Sequence, residues 1–232
     1  LTKVNDRLLN LPVRLNTDDA VVIRGIFADR EYSTELIQGE IRRVIDLGAN
    51  CGFALAYLSA CFPHASFACI EPDPRNLIQL AKNIELNQLP ATVFAAGVGA
   101  TNGYFRLQIN SENPSCNQIT EESTQGIAVA VLTLDDILAQ MNWESVDLIK
   151  MDIEGMEYDL VTKSGKMLQK AKYILFELHS WIDTKAVTSG LVNLGFDIYQ
   201  VNKEGEQVYL AINKALIQGT VEFQNISSYA KS

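Results

Sequence analysis

Val44-Ile45-Asp46-Leu47-Gly48-Ala49-Asn50-Cys51-Gly52, followed by Glu71-Pro72, is the stretch that decides the fold. The apolar run reads as a buried strand. Gly48 and Gly52 read as a tight turn into a helix, and Glu71 as the acid that ends a second strand. A strand, a glycine turn, a helix and a second strand ending in an acid make half of a nucleotide-type binding site in an α/β sheet.

Working outward, strand-like runs alternate with helical patterns. The strand candidates are Arg43–Gly48, Ser66–Glu71, Thr92–Ala96, Val146–Asp152, Tyr173–Leu178, Phe196–Val201 and Val208–Ile212. Helices are expected over Phe53–Phe62, stopped by Pro63, and from the N-cap Asp73 with Pro74 to about Asn87. Others are expected from the cap Thr133 through Gln140, over Met156–Leu168, and over Lys185–Leu194 before Gly195. This alternation predicts a doubly wound, mostly parallel seven-stranded sheet. Asn202–Gln207 is too short for a crossover helix, so the last two strands form an antiparallel hairpin. The expected organisation is a cap or helix pair over the ligand at residues 1–40, one domain over 41–213, and a tail over 214–232. The polar stretch Ile109–Ala128 reads as an exposed loop or lid.

The 232 residues suffice for one sizeable core, and 47% hydrophobic with 20% charged residues is an ordinary globular composition. A net charge of −9, from 19 basic and 28 acidic residues, repels phosphate backbones and argues against a nucleic-acid partner. No apolar run approaches a membrane span, and no basic stretch with an apolar run behind it opens these residues. Cys51, Cys61, Cys69 and Cys116 form no C-x-x-C pair and read as free thiols. The expectation is a cytoplasmic protein with a small-molecule substrate, its oligomeric state open.

Ligands of an open parallel sheet sit beyond the carboxyl ends of the strands. The polar residues there are Asp46, Gly48, Asn50 and Gly52, then Glu71 with Pro72, then Gly97 with Val98. Asp152 and Glu154 follow the fourth strand, and Glu177 and His179 the fifth. The spacing is Gly-x-Asn-x-Gly, unlike the Gly-x-Gly-x-x-Gly of a dinucleotide site. An acid at Asp46 would be poor beside a pyrophosphate and suits a cationic ligand, which points to S-adenosylmethionine. Glu71, 25 residues beyond Asp46, is placed to accept the ribose hydroxyls, and backbone near Val98 to face the adenine. In Lys150-Met151-Asp152-Ile153-Glu154-Gly155-Met156-Glu157, strand alternation puts Lys150 and Asp152 on one face. Glu157 and Asp159 read as helix-capping acids.

Taken together, Asp46-Leu-Gly-Ala-Asn50-x-Gly52, Glu71-Pro72, Asn83 with Asn87, Thr133-Leu-Asp135-Asp136 and Lys150-x-Asp152-x-Glu154-Gly155-x-Glu157 resemble, in order, the motifs of FkbM-family methyltransferases. Ile26–Tyr32 also resembles the segment preceding the glycine turn there, so the resemblance spans roughly Phe27 to His179. It implies a class I methyltransferase fold and S-adenosylmethionine-dependent methyl transfer, usually to oxygen. The acceptor is left open among sugars, natural products and peptides, and among hydroxyls and carboxylates.

Asp152, Glu154 and His179 are the candidate catalytic residues: any of them could orient the acceptor and one could take its proton, while a carboxylate acceptor needs no base. His179 reads either as a general base titrating near neutrality or as a hydrogen-bonded wall residue. His64 reads as solvated. Asp152, Glu177 and His179 also offer a minority Mg²⁺ site. An NAD-dependent oxidoreductase and a non-catalytic cofactor-binding scaffold are the competing readings.

Overall fold

The computed structural model describes residues 1–108, 126–201 and 207–217, with the backbone alone at 118–120. Along the chain, β1 (Thr2–Val4) and β2 (Arg7–Leu9) pair as an antiparallel hairpin and precede α1 (Asp19–Phe27). Then come β3 (Arg43–Leu47), α2 (Phe53–Cys61), β4 (Ser66–Ile70), α3 (Pro74–Asn87) and β5 (Ala91–Phe94). Four short or half-exposed strands follow: β6 (Gly97–Val98), β7 (Gly103–Gln108), β8 (Gln118–Thr120) and β9 (Ile127–Leu132). The remainder is α4 (Leu134–Met141), β10 (Val146–Met151), α5 (Glu157–Ser164), a 3₁₀ segment (Gly165–Lys170), β11 (Ala171–Glu177), α6 (Thr184–Asn193), β12 (Phe196–Gln200) and β13 (Val208–Asn213).

All seven expected strands join one sheet, in the order β12-β13-β11-β10-β3-β4-β5. The pairs β11-β10, β10-β3, β3-β4 and β4-β5 are parallel; β13 runs antiparallel to both β11 and β12. Strand order reverses direction between β3 and β10, so a crevice opens beyond their carboxyl ends. Side chains alternate across the sheet. Val44, Phe67, Leu148, Tyr173 and Leu175 pack with α2 on one face. Ile45, Ala68, Ile149, Ile174 and Phe176 pack with α4, α5 and α6 on the other. Each fully buried side chain of this kind contributes roughly 1.5–3 kcal/mol. The sheet therefore holds the frame, and the strand-end loops are free to carry polar groups.

Three expectations change. The cap segment holds a hairpin and a single helix, α1, not a helix pair. The hairpin is anchored by Arg7, which donates to the Asn87 carbonyl at 2.6 Å and the Ser59 hydroxyl at 3.3 Å. A second sheet, ordered β6-β9-β7-β8, was not anticipated. It places strand residues Gln118–Thr120 and Ile127–Ala128 inside the stretch read as a loop. The rest of Ile109–Ala128 lies outside the described residues except for Gly126, as do 202–206 of the hairpin connection and 218–232 of the tail. The helix expected over Met156–Leu168 splits into α5 and the 3₁₀ segment at Gly165, where a Cβ would meet Leu194 Cδ1 at 2.6 Å. Among the described residues no helix is long and apolar enough to cross a membrane. Cys51, Cys61 and Cys69 are free thiols, and Cys116 falls outside the described residues.

Candidate active site

The glycine turn is built by backbone constraint. Gly48 (φ 74°) and Gly52 (φ 79°) are left-handed, as is Asn50 (φ 49°). A Cβ on Gly48 would lie 1.8 Å from the Asp152 carbonyl oxygen, so the end of β3 passes the end of β10 with room for no side chain. The Gly48 and Ala49 N–H groups both donate to the Ile70 carbonyl, at 3.0 and 2.9 Å. Asn83, fully buried on α3, donates to the Cys51 carbonyl at 2.7 Å and fixes the turn from below.

A cavity of about 500 Å³ opens above this turn. Of the residues expected at the site, Gly48, Asn50, Glu71, Pro72, Gly97, Val98, Asp152, Glu154 and His179 line it. Asp46 and Gly52 do not. Asp46 is fully buried beneath the floor, and Gly52 caps α2 and packs towards Leu80. The lining includes six carboxylates (Asp18, Glu31, Glu71, Asp152, Glu154 and Glu177) and, among the described residues, no lysine or arginine.

Glu71 is the acid nearest the turn. Its carboxylate accepts the Asn50 and Asp73 N–H groups at 2.8 Å each, and the Asn76 amide at 3.3 Å. A carboxylate offers about four acceptor sites, so about one remains for a ligand hydroxyl. Burial pushes the Glu71 carboxyl up to about 7 against those three donors. Asn50 Oδ1 is buried with no hydrogen-bond donor, a ready acceptor for an ammonium group. Left-handed turn, orphaned acceptor and buried acid together fit the amino acid end and ribose of S-adenosylmethionine.

Under the floor, Lys150 is the buried counter-charge. Its ammonium lies 3.3 Å from Asp46 and 3.5 Å from Asp152, and 5.4 Å from the centroid of the Tyr32 ring. Burial alone would depress the ammonium, but Asp46 and Asp152 hold it above its ordinary range. Tyr32, nearly fully buried, donates from its hydroxyl to Asp152 at 2.9 Å. Asp152 is thus clamped by two groups from different parts of the chain.

The third cluster lies at the ends of β10 and β11. His179 Nε2 is 3.5 Å from Glu154 and 3.7 Å from Asp152, and Nδ1 is 3.3 Å from Glu157. Glu157 is fully buried and also accepts the Ile153 and Gly155 N–H groups at 2.8 Å each. The capping role expected of it is therefore joined by a second one, against the imidazole. Burial lowers the His179 affinity for a proton, but Glu157, Asp152 and Glu154 outweigh it, so the ring is held charged at neutral pH. Glu154 sits in a left-handed backbone (φ 54°), and its Oε2 is buried without a hydrogen bond. Burial, then the Asp152 charge, push its carboxyl up to about 7. Glu177 is raised by the same two causes. For a metal ion the compact donor set is Asp152, Glu154 and His179, whose ligand atoms lie within 4.8 Å of one another. The set expected from sequence had Glu177 in place of Glu154.

Tyr32, Glu31, Trp181 and the α1 residues Val21 and Val22 also line the cavity and were not singled out from sequence. Only the Ile26–Tyr32 motif hinted at Tyr32. Gly25 explains Glu31: a Cβ there would meet the Glu31 carboxylate at 2.7 Å.

A parallel sheet with a terminal antiparallel hairpin and an acid-ended second strand beside a glycine turn defines a class I methyltransferase fold. Solved structures agree at the level of fold. The METTL16 methyltransferase domain has a TM-score of 0.51 at 17% identity, covering 79% of this chain and 65% of that one. A precorrin-6y C5,15-methyltransferase from Geobacter metallireducens has a TM-score of 0.50 at 12% identity, covering 79% and 87%. The methyltransferase FkbM domain model matches residues 46–204, and the chain belongs to that family. Curated relatives include a hexuronic acid methyltransferase, AglP, of Haloferax volcanii, 23% identical over 70% of this chain and 67% of its own length. Another is a 2-O-methyltransferase, NoeI, of Sinorhizobium fredii, 26% identical over 58% and 62%. The chain thus spans about two thirds of the length of these relatives.

Proposed function

We propose that this chain transfers the methyl group of S-adenosylmethionine to a hydroxyl oxygen of a small polyol, a sugar or sugar-like molecule. The observation that carries the hydroxyl over a carboxylate is the lining: six carboxylates, one histidine and no lysine or arginine among the described residues. That surface complements a sulfonium and repels an anionic acceptor. The relatives named for a hexuronic acid and for a 2-O position support oxygen methylation of sugar-type molecules.

S-Adenosylmethionine supplies a methyl group already activated for displacement, so the protein contributes mainly position and alignment. Gly48 and Asn50 receive the amino acid end, Glu71 the ribose, and Gly97 and Val98 lie beside the adenine. Asp152, held by Tyr32 and Lys150, orients the acceptor. Glu154 takes its proton, because a base held near 7 matches a neutral working pH. His179, charged between Glu157 and Glu154, keeps Glu154 facing the acceptor instead of serving as the base itself. Mg²⁺ plays no part in this reading, since an imidazole nitrogen in the compact donor set suits that ion poorly. A reducing cytoplasm suits the free thiols, and phosphate-bearing acceptors suit neither the cavity nor the net charge.

The test is calorimetry with S-adenosylhomocysteine and with NAD, followed by methyl transfer from labelled cofactor to neutral sugars, amino sugars and uronic acids, with and without EDTA. Binding of S-adenosylhomocysteine and transfer to neutral hydroxyls, indifferent to EDTA, are expected. Binding of NAD alone, or transfer to uronate carboxylates only, would overturn the reading. Abolition by EDTA with restoration by Mg²⁺ would reinstate the metal.

A further inference from the structure

We infer that Trp181 is the acceptor platform: its indole stacks against the apolar face of a saturated sugar ring and so presents a ring hydroxyl to Glu154. The inference rests on the hydroxyl-methylation reading above and deepens it by naming the class of acceptor, an uncharged pyranose-type ring. Trp181 lies in the loop after β11 and lines the cavity, yet it is 56% exposed. Tryptophan is among the most buried residues on average, so an indole left open at the mouth of a polar cavity is a surface awaiting a partner.

Its placement gives that surface a direction. The indole packs on the His179 ring with centroids 4.6 Å apart and planes at 36°. His179 in turn contacts Glu154 and Asp152. The indole edge also stands beside Gly155, the residue after Glu154, so a ring lying on the open face of the indole is held close to the proposed base. The neighbouring loop is shaped to admit the indole: Gly155 is left-handed (φ 103°), and a Cβ there would stand 3.3 Å from Trp181 Nε1. Val21 of α1, 71% exposed and also on the lining, adds a second apolar contact at the same cavity. An apolar face combined with carboxylates that accept hydroxyl protons is the surface a sugar ring presents in complement: C–H groups on its face and hydroxyls at its edge. A linear polyol lacks such a face, and an anionic ring meets the carboxylates.

The chain has two tryptophans, so a Trp143→Phe variant leaves Trp181 as the sole indole reporter. With S-adenosylhomocysteine saturating, titration with a panel of methyl pyranosides should shift the Trp181 emission to shorter wavelength, and sorbitol should not. Trp181→Ala should raise the KM for the best pyranoside at least tenfold, and Trp181→Phe should restore most of it. The S-adenosylhomocysteine Kd should stay within about twofold in both variants. Pyranoside binding and turnover unchanged in Trp181→Ala, no emission shift with any pyranoside, or sorbitol matching the pyranosides would each overturn the platform. Retained S-adenosylhomocysteine binding in those cases leaves the methyltransferase reading standing; loss of that binding in the unaltered protein would sink both.

Discussion

Lys150 donates a 2.7 Å hydrogen bond from its ammonium to the Gly48 carbonyl, joining β10 to the glycine turn that follows β3. The residues directly paired across those strands are Lys150 and Asp46. One buried ammonium thus neutralises Asp46, steadies Asp152 and fixes the turn proposed to receive the cofactor.

Lys150→Met should therefore destabilise the protein by about 3–5 kcal/mol, because it leaves Asp46 buried without its counter-charge. Neither Asp46 oxygen has a hydrogen bond of its own. Urea unfolding of Lys150→Met, Asp46→Asn and the double variant checks this. The double variant should recover a large part of the loss, whereas additive losses would show that the pair is not coupled.

Gly48→Ala and Gly195→Ala separate crowding from backbone strain. Both glycines are left-handed, but an added Cβ meets the Asp152 carbonyl at 1.8 Å at Gly48 and nothing within 4 Å at Gly195. Gly195→Ala should cost about 1–2 kcal/mol of stability and leave cofactor affinity unchanged. Gly48→Ala should abolish S-adenosylhomocysteine binding by calorimetry, since the turn and Asp152 must move apart.

Glu71→Gln should weaken S-adenosylhomocysteine binding tenfold or more. The amide replaces one acceptor oxygen by a donor, so the Asn50 N–H and the ribose hydroxyl compete for what is left. A loss of about 1.5–3 kcal/mol is the usual worth of a hydrogen bond to a charged group. Calorimetry decides, and an unchanged Kd would remove Glu71 from the cofactor site.

Three buried acids and one imidazole shape the pH response: Glu177 is raised to about 8 and His179 to about 9, beside Glu71 and Glu154. Glu71 and Glu154 are each raised from 4.5 to about 7 in the folded protein. Between those values these carboxyls bind more protons in the folded state than in the unfolded one, so the stability they contribute is full below about pH 4.5 and is lost as pH rises through 7. Tm measured in the absence of cofactor should decline over that window, and Glu154→Gln should flatten the decline. The same group predicts that kcat/KM rises with pH to a plateau above about 7, a limb that Glu154→Gln should remove along with most of the turnover. A flat profile in the unaltered enzyme would exclude Glu154 as the base.

The large sheet was legible because strands buried on both faces are largely apolar, and runs such as Phe67–Ile70 and Tyr173–Phe176 are unbroken in their burial. The second sheet was not. Gly103–Gln108 is largely exposed or half-exposed, and Gln118–Thr120 is three residues long, so neither carries a hydrophobic run that distinguishes it from a loop. Glycines whose conformation is forced, Gly48 and Gly52, announced the turn. Asp46 showed an acid at the right strand end but not its depth. Its burial under the floor depends on Lys150, which lies 104 residues further on.

The sequence by itself determined the frame, a mostly parallel sheet closed by an antiparallel hairpin, because local periodicity and forced backbone turns are properties of neighbouring residues. Only the tertiary structure decided how the cluster at the ends of β10 and β11 is assembled. Tyr32 reaches Asp152 across 120 residues, and His179 meets Glu154 and Glu157 from a different strand end, beside an open Trp181. Those contacts arise from how the strand-end loops converge, and convergence between distant loops leaves no pattern in any short stretch of chain.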